Sequence, residues 1–150
     1  QIAEIFAMLV LGWLLAKGKL RWVLVSALLM GLARYALFAF SGWGGELIWI
    51  WIGIALHGPC YTFFYITGQI LVDRRVDASM RSQAQALLGT LVGGVGGLVG
   101  SLFCGWCYAG TMGIPHSWVF FWGILAVAVL GCTLYFVTGF NTSMRKATES

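Results

Sequence analysis

Long apolar runs cut by short charged clusters dominate the sequence, and no other feature restricts the fold so severely. Charges gather at Lys17, Lys19 and Arg21, at Glu46, from Asp73 through Arg81, and near the end at Arg145 and Lys146. Between them lie five spans, at 1–16, 22–41, 47–72, 82–108 and 118–138. A helix rising about 1.5 Å per residue needs about 20 apolar residues to cross a hydrocarbon core about 30 Å thick. Four spans reach that length and the first is short.

Composition closes off the alternatives. The 150 residues are 60% hydrophobic and 9% charged, whereas a water-soluble domain carries about 25% charged residues. So few charges cannot cover a soluble surface, and they equally exclude a disordered chain or a nucleic-acid-binding one. Four cysteines in 150 residues do not make a disulfide scaffold. The expected fold class is therefore an all-α polytopic membrane protein, in which the net charge of +4 speaks of orientation rather than of an acidic ligand.

If the spans alternate, Lys17, Lys19, Arg21, Arg74, Arg75, Arg81, Arg145 and Lys146 all fall on one side, and the opposite loops carry no Lys or Arg. The first and third connections and the C-terminus are then expected to be cytoplasmic. The chain opens inside a helix, with no initiator Met and no signal-peptide pattern. The expectation is an N-terminally truncated C-terminal piece of a larger bundle.

Ionisable groups at bilayer depth cost about 2.5–3.5 kcal/mol on insertion scales and face partners or cavities. Glu4 lies 13 residues before Lys17, and Arg34 lies 13 residues after Arg21. On antiparallel helices the two share a depth and are expected to meet, with Arg34 in a structural role. In the third span His57, Tyr61 and Tyr65 repeat every four residues and share a face, with Thr62 and Gln69 on a neighbouring one. Pro59 frees a carbonyl that needs another partner or a wet cavity. These positions predict a polar pocket between the third and first spans.

The fourth span is rich in glycine, and its small-xxx-small spacing predicts that Gly93, Gly97 and Gly100 form a close helix contact. No Lys-Ser/Thr ending makes the run a phosphate loop. Cys104-Gly-Trp-Cys107 has thioredoxin-like spacing, so a membrane thiol oxidoreductase is kept as an outsider reading. Neither a metal nor a cofactor is expected.

Taken in order, Gln1-Ile-Ala-Glu4, Arg34-Tyr-Ala-Leu-Phe38, His57-Gly-Pro-Cys-Tyr-Thr-Phe-Phe-Tyr-Ile-Thr-Gly68 and Arg81-Ser-Gln-Ala-Gln85 resemble helices eight to eleven of the nucleoside:proton symporters of the major facilitator superfamily. The resemblance covers nearly the whole chain and would make it helices eight to twelve of twelve. It implies a non-enzymatic secondary transporter, with a central cavity between two six-helix halves and alternating access. The family's Gln and Glu on helix eight, which help hold the nucleoside, match Gln1 and Glu4. Its helix-ten pattern Tyr-Gly-x-x-Phe-Asp-Phe-Phe places substrate-binding positions on His57, Tyr61 and Thr62. Thr62 stands where the family has a carboxylate, which leaves Glu4 as the proton-coupling acid. The implied partners are a nucleoside or similar small polar solute, protons, the lipid bilayer and an N-terminal half, without nucleic acid. The implied location is a bacterial inner membrane with the C-terminus inside. A major facilitator carrier of another small polar solute, without proton coupling, stays open as the alternative.

Overall fold

The computed structural model describes the backbone of residues 2–16 and 20–148, and side chains within 4–15 and 20–139. Among the described residues there are helices and turns but no strand. The helices are α1 (Ile2–Ala16), α2 (Leu20–Gly44), α3 (Leu47–Ala55), α4 (His57–Arg75), α5 (Arg81–Gly89), α6 (Gly97–Thr111) and α7 (Ser117–Thr148). A 3₁₀ turn at Ala78–Met80 leads into α5, and a π-helical stretch, Thr90–Gly96, joins α5 to α6.

Four continuous segments are long and apolar enough to cross a membrane: Leu20–Gly44, Leu47–Arg75, Ala78–Thr111 and Ser117–Gly139. The shorter apolar helix Glu4–Leu15 accompanies them. The protein is thus an all-α integral membrane chain. Its outer faces carry Leu9, Trp13, Leu102 and Val127, each at least 60% exposed, as expected where lipid rather than water is the solvent.

Two helix ends run past the sequence expectation. α2 continues through Ser41-Gly-Trp-Gly44 and stops at Gly45, whose φ of +72° and N–H bond to the Ser41 carbonyl (2.8 Å) form a left-handed cap. α7 runs on to Thr148, where a polar tail was expected. No proline or glycine follows Gly139 to break the helix.

The third span is one segment in two pieces. α3 ends at Ala55 and α4 starts at His57, with Leu56 between them. Pro59 has no N–H to offer the Ala55 carbonyl four residues back, so the break falls where the hydrogen-bond ladder lacks a rung.

α2 is the organising element. It packs along α7, α4 and α3, while α1 lies mainly against α4. One core cluster joins Ala7 and Leu11 of α1 to Val23 and Ala27 of α2 and Phe63 of α4. A second joins Cys107 of α6 to Phe121 and Leu125 of α7, with Tyr35 of α2 against it. Close approach depends on glycine at Gly53, where a Cβ would sit 2.5 Å from the Phe38 ring, and at Gly42, where it would meet Trp118 and Val119 at 3.2 Å.

Candidate functional site

α2 and α4 meet beside the break in the third span because Gly31 presents no side chain there. A Cβ at Gly31 would lie 3.4 Å from the Cys60 sulfur. The Cys60 thiol donates to the Ala27 carbonyl at 3.3 Å, pinning the two helices. Just beyond this contact opens a cavity of about 420 Å³, walled by Arg34 and Tyr35 of α2, His57, Tyr61 and Phe64 of α4, and Val129 of α7. Its size is within the range of about 300–1,000 Å³ typical of small-molecule pockets.

At one end of this cavity, Arg34 Nη1 donates to His57 Nδ1 at 2.5 Å. A guanidinium has no acceptor, so Nδ1 must be the unprotonated nitrogen of a neutral imidazole and Nε2 carries the hydrogen. The Arg34 guanidinium also stands over the rings of Tyr35 and Phe38, at 4.9 and 5.8 Å. Along α4 the rings continue as a ladder. His57 and Tyr61 are 6.3 Å apart, and Tyr61 stacks on Tyr65 at 5.4 Å with planes 11° apart. Tyr61 is 51% exposed and leaves its other face free for a flat ligand.

The sequence-predicted residues divide accordingly. His57 and Tyr61 line the cavity together, as their four-residue spacing indicated. Thr62 does not line it: the next position lies about 100° around the helix, and Thr62 is 1% exposed on the packed side. Glu4 is half-buried on α1, on the face that carries Ala7 and Leu11 into the core, and is not part of this cavity wall. Gln1 lies outside the described residues, as do Lys17 and Lys19.

The expected meeting of Glu4 and Arg34 is corrected. Among the described residues no ion pair joins them, and Arg34 binds His57 instead. The shared core cluster explains why. It sets Ala7 beside Ala27; from that level Glu4 rises by three residues, about 4.5 Å, and Arg34 by seven, about 10.5 Å. Counting from the charged ends put both at one depth, but the packing offsets them by more than a turn. Arg34 keeps its structural role with a different partner.

The glycine face also differs from its expectation. A Cβ at Gly93, Gly97 or Gly100 would meet nothing within 4 Å in this chain. The close glycine contacts are those of Gly31, Gly42 and Gly53. Cys104 and Cys107 fall within α6, with Cys107 buried against Phe121 and Leu125. This places them far from the helix N-terminus that activates thiols of that spacing.

Two further polar groups were not assigned from sequence. Tyr35 lines the cavity beside Arg34. At the opposite end of α4, the Gln85 amide donates both to the Gln69 carbonyl (2.9 Å) and to Asp73 Oδ1 (2.8 Å), tying α5 to α4. The signal for the second lay in the Arg81-Ser-Gln-Ala-Gln85 motif, which carries an amide into an apolar span. Among the described residues no group of His, Cys, Asp or Glu is placed to hold a metal ion.

Comparison with known proteins fits this arrangement. No solved structure matches the chain. The xanthosine permease of Escherichia coli (strain K12) is 29% identical over 144 residues, covering 94% of this chain and 34% of the permease. The nucleoside permease NupG of the same organism is 25% identical over 108 residues, covering 70% of this chain and 25% of NupG. The chain therefore spans about a third or less of these relatives, which are permeases and not enzymes. The sequence model described as Nucleoside H+ symporter matches residues 1–145, and the chain belongs to that family.

Proposed function

We propose that this chain is the C-terminal helical part of a transporter that imports nucleosides together with protons by alternating access, in a bacterial inner membrane with its C-terminus cytoplasmic. The observation that carries the reading is the family match along 145 residues. The cavity supports it: Tyr61 offers an aromatic face to a base or ribose, and His57 and Arg34 supply polar atoms beside it. Gln1 and Glu4 bind polar edges of the solute from α1, Thr62 acts from behind the cavity wall, and Glu4 carries the coupled proton.

One observation favours a second reading, transport of a small polar solute without proton coupling: among the described residues, no carboxylate lines the cavity. Uptake of radiolabelled nucleoside into transport-deficient cells expressing the full-length transporter separates the two. Under proton symport, Glu4→Gln abolishes accumulation driven by a pH gradient while nucleoside exchange persists. Accumulation that survives Glu4→Gln removes the coupling role from this residue.

A further inference from the structure

Arg34 sits two residues from the midpoint of the 25-residue helix α2, at a depth where a cation needs a partner. Among the described residues none of its contacts is a carboxylate. Its Nη1 is satisfied by a neutral imidazole, its plane rests on two rings, and its Nε is buried with no hydrogen-bond partner. An unspent donor on a cation lining a cavity points to a ligand that brings acceptors.

The neighbouring groups sharpen the chemistry. Because Nδ1 of His57 accepts from Arg34, the imidazole's remaining polar atom is Nε2–H, a second donor. Cys60, on the same wall, spends its thiol on the Ala27 carbonyl. This corner of the cavity therefore presents two donors side by side, next to the Tyr61 ring on which a planar group can stack.

A nucleobase that stacks there must turn an edge with two adjacent acceptors toward Arg34 and His57. A 6-oxopurine does so with N7 and O6. A 6-aminopurine presents N7 and an amino group, whose hydrogens would face a donor. We infer that the Arg34–His57 corner is a specificity site selecting 6-oxopurine nucleosides over 6-aminopurine nucleosides, with Arg34 both contacting the base and holding His57 in its Nε2–H form. The inference rests on the nucleoside reading above and adds the class of base.

The test is competition in transport-deficient cells expressing the full-length transporter, with labelled inosine and labelled adenosine as separate substrates. Inosine and guanosine should half-inhibit uptake at concentrations about tenfold lower than adenosine, the scale of one two-donor base contact. 7-Deazainosine, which lacks the N7 acceptor, should compete about as poorly as adenosine. Arg34→Gln, whose amide both donates and accepts, should bring the inosine and adenosine values together at unchanged surface expression. Equal competition by inosine and adenosine in the wild type, full competition by 7-deazainosine, or an unchanged preference in Arg34→Gln each overturns the inference. The first and second need no variant, so a misfolded Arg34→Gln does not shield it. Transport of both purines with equal affinity defeats this inference alone, whereas absence of uptake of any nucleoside defeats the nucleoside reading as well.

Discussion

Arg34 of α2 donates to Nδ1 of His57 on α4, joining two residues 23 apart in sequence at the break in the third span. The bond links the central helix to the first turn of α4, where the backbone ladder is already short of a donor. A hydrogen bond to a charged group is worth about 1.5–3 kcal/mol, and more is lost when the charge is left without an acceptor. His57→Leu should therefore lower the thermal midpoint of the detergent-solubilised full-length protein by several degrees. His57→Gln, whose amide oxygen can accept from Arg34, should recover most of the loss. Equal losses in both variants would show that the contact is packing rather than a hydrogen bond.

The glycine contacts give a second expectation. A methyl at Gly53 would lie 2.5 Å from the Phe38 ring, and forcing bulk into a packed site costs about 1–3 kcal/mol. Gly97→Ala meets no atom of this chain within 4 Å and replaces a poor helix former with the best one. Gly53→Ala should reduce the folded fraction on size-exclusion chromatography clearly more than Gly97→Ala, and adding Phe38→Leu to Gly53→Ala should restore part of it. A loss at Gly97 as large as that at Gly53 contradicts this ranking.

Much of the fold was legible because hydropathy and charge are one-dimensional signals. The apolar runs marked the membrane segments, and Pro59 announced the weak point of the third. The four-residue repeat of His57, Tyr61 and Tyr65 became a ladder of rings. Rotation and offset between helices are not encoded that way. Glu4 and Arg34 were equally deep by counting from the nearest charges, but Ala7, Leu11, Val23 and Ala27 set the vertical register and left Arg34 nearer to His57. Thr62 adjoins Tyr61 in sequence and lies round the helix from it in space. The glycines of the fourth span spelled a packing motif, yet at Gly93, Gly97 and Gly100 no side chain of this chain comes near. A motif for close approach does not name its partner.

Membrane orientation is open to direct labelling. Eight of the nine Lys and Arg residues lie at the Lys17-to-Arg21 and Asp73-to-Arg81 connections and in the C-terminal segment, which predicts a cytoplasmic position for these regions. In a cysteine-free background, a single cysteine at Gly44 or Gly113 should react with an impermeant maleimide added outside intact cells. One at Arg75 should react only after permeabilisation. Labelling of the Arg75 position from outside would invert the topology.

Nucleoside accumulation by the purified full-length transporter in proteoliposomes tests the central claim most directly. With the external medium made acidic relative to the lumen, labelled nucleoside should rise inside well above its external concentration and fall back when a protonophore collapses the gradient. Glu4→Gln should only equilibrate it. Nucleoside that reaches the same level with and without the gradient, or that does not enter at all, would contradict proton-coupled nucleoside transport.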